Sequence, residues 1–389
     1  VFSVKKNTSF TALCGAAFIQ MVGVGIIVAL LPGRVMQVSP SMEYVGYLAS
    51  AFAISFVLLQ LPVGYGGDLW GYKLFLVGGY ALSCLTGLLY FKAGSVWDFL
   101  GGRALQGLGE IPVWALAPAL LSLLFPDSKG ERIGKYNASF HLGLTLGGIL
   151  SIYACRIWSG NEAFLLYAAT GFLGAVTVAL FVKNPGVPKE KAIENRGSYR
   201  DMLRAMRKIR MPAVFGGVCL YGGAYGLFLT VIPGILLSEK GFSQTQVSLF
   251  FALFYVALSI AQVTGGKRSD AKGRYGTMYL GFGLVVLGMA TFMVLNGKAV
   301  FALLFCASFG LGMFCVSAMT LLNEAVPDSL KGSISGVFYL FWGIGFFLIP
   351  PGMAKLGALL GYARVFPMLA VLVCLDLLAL RRQRKRCFE

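Results

Sequence analysis

Gly64-Tyr65-Gly66-Gly67-Asp68-Leu69-Trp70-Gly71 and, 202 residues later, Gly266-Lys267-Arg268-Ser269-Asp270-Ala271-Lys272-Gly273 carry one arrangement of glycines around a single carboxylate. The frame around them repeats as well. Pro126-Asp127-Ser128 and Lys129-Gly130 return as Pro327-Asp328-Ser329 and Lys331-Gly332, and Pro32-Gly33 returns as Pro233-Gly234. Each copy falls at a corresponding break between long apolar stretches, so the chain is one membrane unit made twice. Two like halves around a central axis can rock, which points toward transport.

Hydrophobic residues fill 57% of the 389 positions and charged ones only 13%. Mean hydropathy is +0.77. That is too little polar surface for a soluble domain of this length. Reading for runs of roughly 20 apolar residues gives twelve spans: 10–31, 44–64, 74–92, 97–124, 134–156, 162–182, 212–237, 244–265, 276–296, 299–324, 332–355 and 361–380. Helix is required, because backbone polar groups in lipid must be satisfied within the segment. The expected fold is an all-α membrane protein of two pseudo-symmetric six-helix bundles. Residues 1–183 form the first, 184–211 a basic cytoplasmic linker, and 212–389 the second with a basic tail.

The +17 net charge is sorted by side. With both termini cytoplasmic, that side holds 25 of the 33 Lys and Arg residues: Lys5 and Lys6, the 65–73, 125–135, 183–211 and 266–275 segments, Lys331, and the Arg381–Arg386 tail. The opposite side holds Arg34, Lys92, Arg156, Lys240, Lys298, Lys355 and Arg364, while Arg103 lies within a span. This asymmetry sets orientation by the positive-inside rule. Nucleic acid is excluded as a partner, since no folded soluble face carries the basic groups. Within the linker, Tyr199–Ile209 reads either as a solvated tether or as a basic amphipathic helix on the membrane surface. The eight cysteines sit mostly in apolar spans without C-x-x-C spacing and read as small hydrophobes. A start without Met and without a signal-peptide pattern predicts a few residues ahead of Val1. Short loops point to a prokaryotic inner membrane, and a monomer is expected.

Glycines at 64, 71 and 273 permit tight turns and close helix approach. A carboxylate there can accept N–H bonds from the start of another helix, aided by its dipole. The expected role of Gly64, Asp68, Gly71 and Lys73, and of Asp270, Gly273 and Arg274, is a latch that opens and closes. Glu324, ending the tenth span, is a partner for one of the bases around Asp270. The bland alternative is that these charges only stop the helices from sliding into lipid.

The paired loops, twelve spans and central basic linker resemble the major facilitator superfamily across essentially the whole chain. Its signature loop reads G-x-x-x-D-x-x-G-R/K-R/K. Gly64, Asp68, Gly71 and Lys73 match it, and Tyr72 stands where a base is common. The resemblance implies that Asp68 engages the start of helix eleven, around Ser333–Gly336, and that transport proceeds by alternating access. Arg103-Ala104-Leu105-Gln106-Gly107 is similar to the R-x-x-Q-G motif of the drug:proton antiporter branch, where the arginine is linked to proton transfer. Gly143, Gly147 and Gly148 keep part of that branch's fifth-helix pattern without its proline. Ala29-Leu30-Leu31-Pro32 keeps the end of its first-helix motif, whose acidic position falls near Gly23.

Ionisable groups inside a span cost roughly 2.5–3.5 kcal/mol each on insertion scales and are functional suspects. Glu110 and Arg103 share one face of span four, about 10 Å apart along the axis. The expected reading makes Glu110 a proton carrier and Arg103 its modulator or an anion contact; a structural ion pair is the alternative. His141, the only histidine, titrates near neutrality when unperturbed and lies at helical spacing from Asn137. It reads as a packing group or a coupling group. Asp376, about one turn from the basic tail, is expected to reach that interface. Gln20, Gln60, Gln106, Trp114, Gln262, Tyr221, Tyr225, Tyr255, Tyr339 and Trp342 complete the expected substrate cavity, with packing as the alternative for any one aromatic.

There is no Walker A sequence, no nucleophile–base–acid set and no metal cluster, so neither an enzyme nor a cofactor is expected. The leading expectation is a proton-coupled antiporter exporting a small organic or amphipathic compound. A symporter or facilitator for an organic anion is the second, favoured by Arg103 and the missing first-helix acid. A non-transporting receptor or lipid-handling scaffold is the third.

Overall fold

The computed structural model describes residues 2–39, 42–158, 160–183 and 199–388, and among them every regular element is helical. The linker stretch 184–198, with Pro185 and Pro188, lies outside the described residues. In the first half the helices are α1 (Phe2–Val38), α2 (Met42–Leu58), α3 (Gln60–Trp70), α4 (Tyr72–Lys92), α5 (Val96–Ile111), α6 (Ala117–Leu124), α7 (Lys129–Ile157) and α8 (Phe164–Phe181). The linker contributes α9 (Tyr199–Lys208). The second half supplies α10 (Pro212–Leu229), α11 (Val231–Ser238), α12 (Gln244–Lys272), α13 (Arg274–Thr291), α14 (Lys298–Glu324), α15 (Lys331–Leu360) and α16 (Tyr362–Phe388).

Each expected span coincides with one helix or one interrupted helix. Nine are long and apolar enough to cross a membrane, and α2 with α3, bent by 43°, makes a tenth. Outside these ten are α7, whose first turns carry Lys129, Glu131, Arg132 and Lys135, and α13, only 18 residues long. The interruptions follow from proline. α2 ends at Leu58, four residues before Pro62, and α10 ends at Leu229, four before Pro233. A proline ring clashes with the carbonyl four residues back and offers it no donor. Pro112 instead opens a π-helical turn, Pro112–Leu116, between α5 and α6. α1 and α15 carry Pro32 and Pro350 without a break.

The chain divides into two compact units. The first comprises Val1–Pro126, Ser139–Met206 and Val326–Tyr339; the second comprises Asp127–Ala138, Arg207–Ala325 and Leu340–Glu389. Each unit thus includes a helix start from the other half of the sequence. The first takes the opening turns of α15, and the second takes those of α7. Tyr80, Tyr90, Phe99, Phe164 and Tyr167 fill the first core. In the second, Phe282 stacks on Phe314 at 3.8 Å and Phe228 on Phe254 at 4.9 Å. Exposed leucines such as Leu58, Leu74, Leu180, Leu348 and Leu359 supply the surface expected to meet lipid.

One expectation needs correction. Asp376 does not reach out to the basic tail: its Oδ2 is buried without a hydrogen-bond partner. A Cβ on Gly216 or Gly217 would stand 3.1 or 2.8 Å from its oxygens. The paired glycines leave a gap on α10, and the carboxyl group occupies it. In the linker, α9 forms within the expected limits, but Met202 on its apolar side is only 3% exposed. At Met202 that side packs against protein.

Candidate functional site

Asp68 and Asp270 occupy equivalent corners. Both Asp68 oxygens accept from the start of α15: Oδ1 from the Gly332 amide at 2.7 Å, Oδ2 from the Ser333 amide at 2.7 Å and its hydroxyl at 2.6 Å. Asp270 accepts in the same way from the start of α7, Oδ1 from the Gly130 amide at 3.0 Å and Oδ2 from the Glu131 amide at 2.7 Å. These amides belong to the four N–H groups that a helix leaves unpaired at its start, and the helix dipole adds to the attraction. A carboxylate there is held by charge-assisted bonds worth about 1.5–3 kcal/mol each. The two carboxylates clasp helix starts that lie far away in the sequence.

Glycine makes the approach possible. A Cβ on Gly64 would meet the Gly332 carbonyl oxygen at 2.6 Å, and one on Gly266 the Gly130 oxygen at 2.2 Å. Because the obstacle is backbone, neither helix can yield by a rotamer change. Gly64→Val is therefore expected to push α3 off α15 and lower the melting temperature by several degrees, in line with the ~1–3 kcal/mol typical of overpacking. An unchanged melting curve would refute this contact.

The clasps differ in what flanks the carboxylate. In the second, the Arg274 guanidinium donates to Asp270 Oδ1 at 2.5 Å and to both Glu324 oxygens at 3.1 and 2.8 Å. Lys129 stands 3.8 Å from Glu324. In the first, the position of Arg274 is taken by Tyr72, whose hydroxyl donates to Asp68 Oδ1 at 2.6 Å. The tyrosine thus makes the hydrogen bond of the missing base without its charge. Beside the second clasp, a hydrogen bond from Lys135 holds the Glu131 carboxyl below its ordinary range.

Deeper in the first unit, span four presents a chain of polar side chains at i, i+3, i+7 and i+11. Arg103 Nη1 donates to Gln106 Oε1 at 2.8 Å, and Gln106 Nε2 donates to Glu110 Oε1 at 2.8 Å. Trp114 Nε1 donates to Glu110 Oε2 at 3.1 Å. Tyr90 also donates to Gln106 Oε1, at 3.2 Å. Arg103 is steadied by its Nε bond to the Leu48 carbonyl at 3.1 Å and lies 4.8 Å over the Phe52 ring. Glu110 is 2% exposed, yet its two donors are neutral. The hydrogen-bonded link from the cation to Glu110 runs through Gln106. No carboxylate among the described residues stands within salt-bridge distance of Arg103.

The π-helical turn carries Trp114 against Phe140, with ring centroids 4.0 Å apart, and against Tyr339 at 5.8 Å and Phe56 at 6.3 Å. Widened turns of this kind recur at functional sites. Tyr221, Tyr225 and Trp342 meet in the second unit: Tyr225 lies 6.1 Å from Tyr221, 5.7 Å from Trp342 and 5.2 Å from Phe254. Tyr255 adjoins Phe254 at 5.0 Å. His141 and Asn137 are both buried on α7. Gln20, Gln60 and Gln262 are buried too, and their amide groups join none of these clusters.

Tyr72, Tyr90, Phe52, Phe56 and Phe140 were not among the expected residues. Tyr72 alone had a readable signal, its 202-residue offset from Arg274. The aromatic partners had none, because a phenylalanine in a span reads the same whether it faces lipid or protein.

The Major Facilitator Superfamily profile matches residues 13–350. The uncharacterised MFS-type transporter MJ1560 of Methanocaldococcus jannaschii is 22% identical, over 91% of this chain and 92% of its own length. The D-galactonate transporter of Escherichia coli O6:H1 is 23% identical, over 82% and 81%. The probable galactarate/D-glucarate transporter GarP of Escherichia coli K12 is 26% identical, over 78% of each. Among solved structures, the transporter FucP in its outward conformation aligns with a TM-score of 0.81 at 17% identity, covering 96% of this chain and 98% of its own. These relatives do not support the drug:proton antiporter branch suggested by the motif around Arg103; two of them are sugar-acid transporters.

Proposed function

We infer that the chain, which belongs to the Major Facilitator Superfamily, moves a small hydroxylated organic acid across a membrane in symport with a proton. Family membership makes it a multi-pass transporter of small molecules and not an enzyme. The single observation behind the finer reading is a half-buried guanidinium, Arg103, that no described carboxylate neutralises and that connects to the buried Glu110 through one amide. Arginine suits a carboxylate ligand, which it can grip with two parallel hydrogen bonds.

The sign of the coupling follows from that chain. An anion arriving at Arg103 competes for the guanidinium and draws it from Gln106. Glu110 then loses its only nearby cation, and proton uptake becomes more favourable. Anion and proton therefore bind together, which is symport. A cationic ligand would act in the opposite sense and displace the proton. Proton-coupled export of an amphipathic compound is the second reading, favoured by the Phe56, Trp114, Phe140 and Tyr339 rings beside Glu110.

In this scheme residues 1–183 and 212–389 are the two moving halves, linked by 184–211, and the Asp68 and Asp270 clasps form and break in each cycle. The Lys and Arg bias supports cytoplasmic termini in a prokaryotic inner membrane, with the monomer as the working unit. Proteoliposome uptake of galactonate under pH gradients of either sign separates the readings. Arg103→Ala should raise KM for the acid about tenfold or more, the equivalent of one charge-assisted hydrogen bond, with Arg103→Lys recovering part of it. An unchanged KM, or uptake driven only by proton exit, would sink the symport assignment.

A further inference from the structure

The helix α9 belongs neither to a span nor to the clasps, yet it is fastened beside one of them. Tyr199 at its start packs edge-on against Tyr65, with ring centroids 5.4 Å apart at 73°. Tyr65 is on α3, three residues ahead of Asp68. Met202 is buried and fixes which way the helix faces. Turned outward are Arg200, Arg204, Arg207 and Lys208, all exposed, against the single acid Asp201. That acid is already spent on Arg204, 3.2 Å away within the same helix.

The depth of α9 relative to a bilayer can be read from α3. Trp70 at the end of α3 is 67% exposed and stacks on Phe75, while Leu74 beside it is 63% exposed. An exposed tryptophan bordering exposed leucine is the pattern of a membrane–water boundary. Tyr65 lies on the same helix, a turn and a half closer to the bilayer centre. A helix whose first residue touches Tyr65 is therefore held against this boundary, within reach of lipid headgroups and not out in bulk water. At that level the partner of complementary charge is phosphate on lipid.

We propose that α9 is a binding site for anionic phospholipid headgroups, contacted by Arg200, Arg204, Arg207 and Lys208, and that the Tyr199–Tyr65 contact passes occupancy to the α3 clasp. Headgroups pull on the basic face of α9, and α9 in turn holds α3 where Asp68 can reach the start of α15. Lipid charge thereby biases the clasped state. The polar face needs no insertion into the acyl region, consistent with the buried Met202.

The test uses the full-length protein extracted from bilayers of phosphatidylcholine mixed with phosphatidylglycerol, with retained lipid measured after gel filtration. The wild type should hold phosphatidylglycerol in excess of its share of the mixture. A variant carrying Arg200→Gln, Arg204→Gln, Arg207→Gln and Lys208→Gln should retain about fivefold less or lower, since each basic group near an anionic surface contributes about that factor. Equal retention by variant and wild type would overturn the proposal. Tyr199→Ala should keep the lipid while thiol labelling of Ser335→Cys, buried at the start of α15, ceases to depend on phosphatidylglycerol content. Labelling that tracks lipid charge as in the wild type would overturn the coupling step. Lipid retention needs no transported substrate, so its failure is distinct from failure of the organic-acid reading.

Discussion

Asp68→Asn is expected to cut transport at least about tenfold and to expose the start of α15 to water-soluble thiol reagents. The carboxylate accepts four hydrogen bonds: two backbone amides, the Ser333 hydroxyl and the Tyr72 hydroxyl. An amide in its place keeps one oxygen and turns an NH2 group toward donors. At least two charge-assisted bonds are lost, at about 1.5–3 kcal/mol each, together with the attraction to the helix dipole. A loss of about 3 kcal/mol changes the ratio of clasped to open forms more than a hundredfold. Labelling of Ser335→Cys, a position fully buried in the clasped form, should accelerate accordingly. Asp270→Asn should act more weakly. Arg274 retains both bonds to Glu324 there, and Lys129 still faces the same carboxylate. Equal labelling rates in wild type and Asp68→Asn would show that the clasp does not hold α15.

Glu110→Gln should abolish accumulation against a gradient while leaving counterflow exchange measurable. The neutral side chain has the same shape and can still accept from Gln106. It cannot accept from Trp114 with its second group, because that group is now a donor. A modest loss of stability follows, about the 1–3 kcal/mol of one mispaired buried polar group. The qualitative effect is larger, since no proton can be loaded at this position. Uptake driven by a pH gradient should fall to the level set by exchange alone and lose its pH dependence. A protein that still concentrates substrate with an unchanged pH profile would remove Glu110 from the coupling path.

How far the sequence alone reached can be judged from single residues. Arg103 and Glu110 were legible as one helix face from their spacing, and Gln106 between them falls at the offsets where helical side chains meet. The absence of a base at position 72 read as a departure from the motif. Only the folded chain showed that a phenol hydroxyl reaches the same Asp68 oxygen. Asp376 was misplaced because charge near a helix end normally turns toward water, and the gap left by Gly216 and Gly217 is invisible without their neighbour. Breaks at Leu58 and Leu229 were predictable from Pro62 and Pro233, yet Pro32 and Pro350 lie in helices of the same composition without breaking them.

The sequence by itself determined that the protein lives in a membrane and that two acidic turns recur at one offset. Those conclusions rest on local sums of hydropathy and on identity at a fixed distance, neither of which needs a partner. Tertiary structure alone decided which helix start Asp270 seizes, which rings enclose Glu110 and which way Asp376 turns. The reason is the solvent. Lipid is as apolar as a protein core, so a buried face and a lipid-facing one carry the same residues, and the periodicity that separates inside from outside in water is lost.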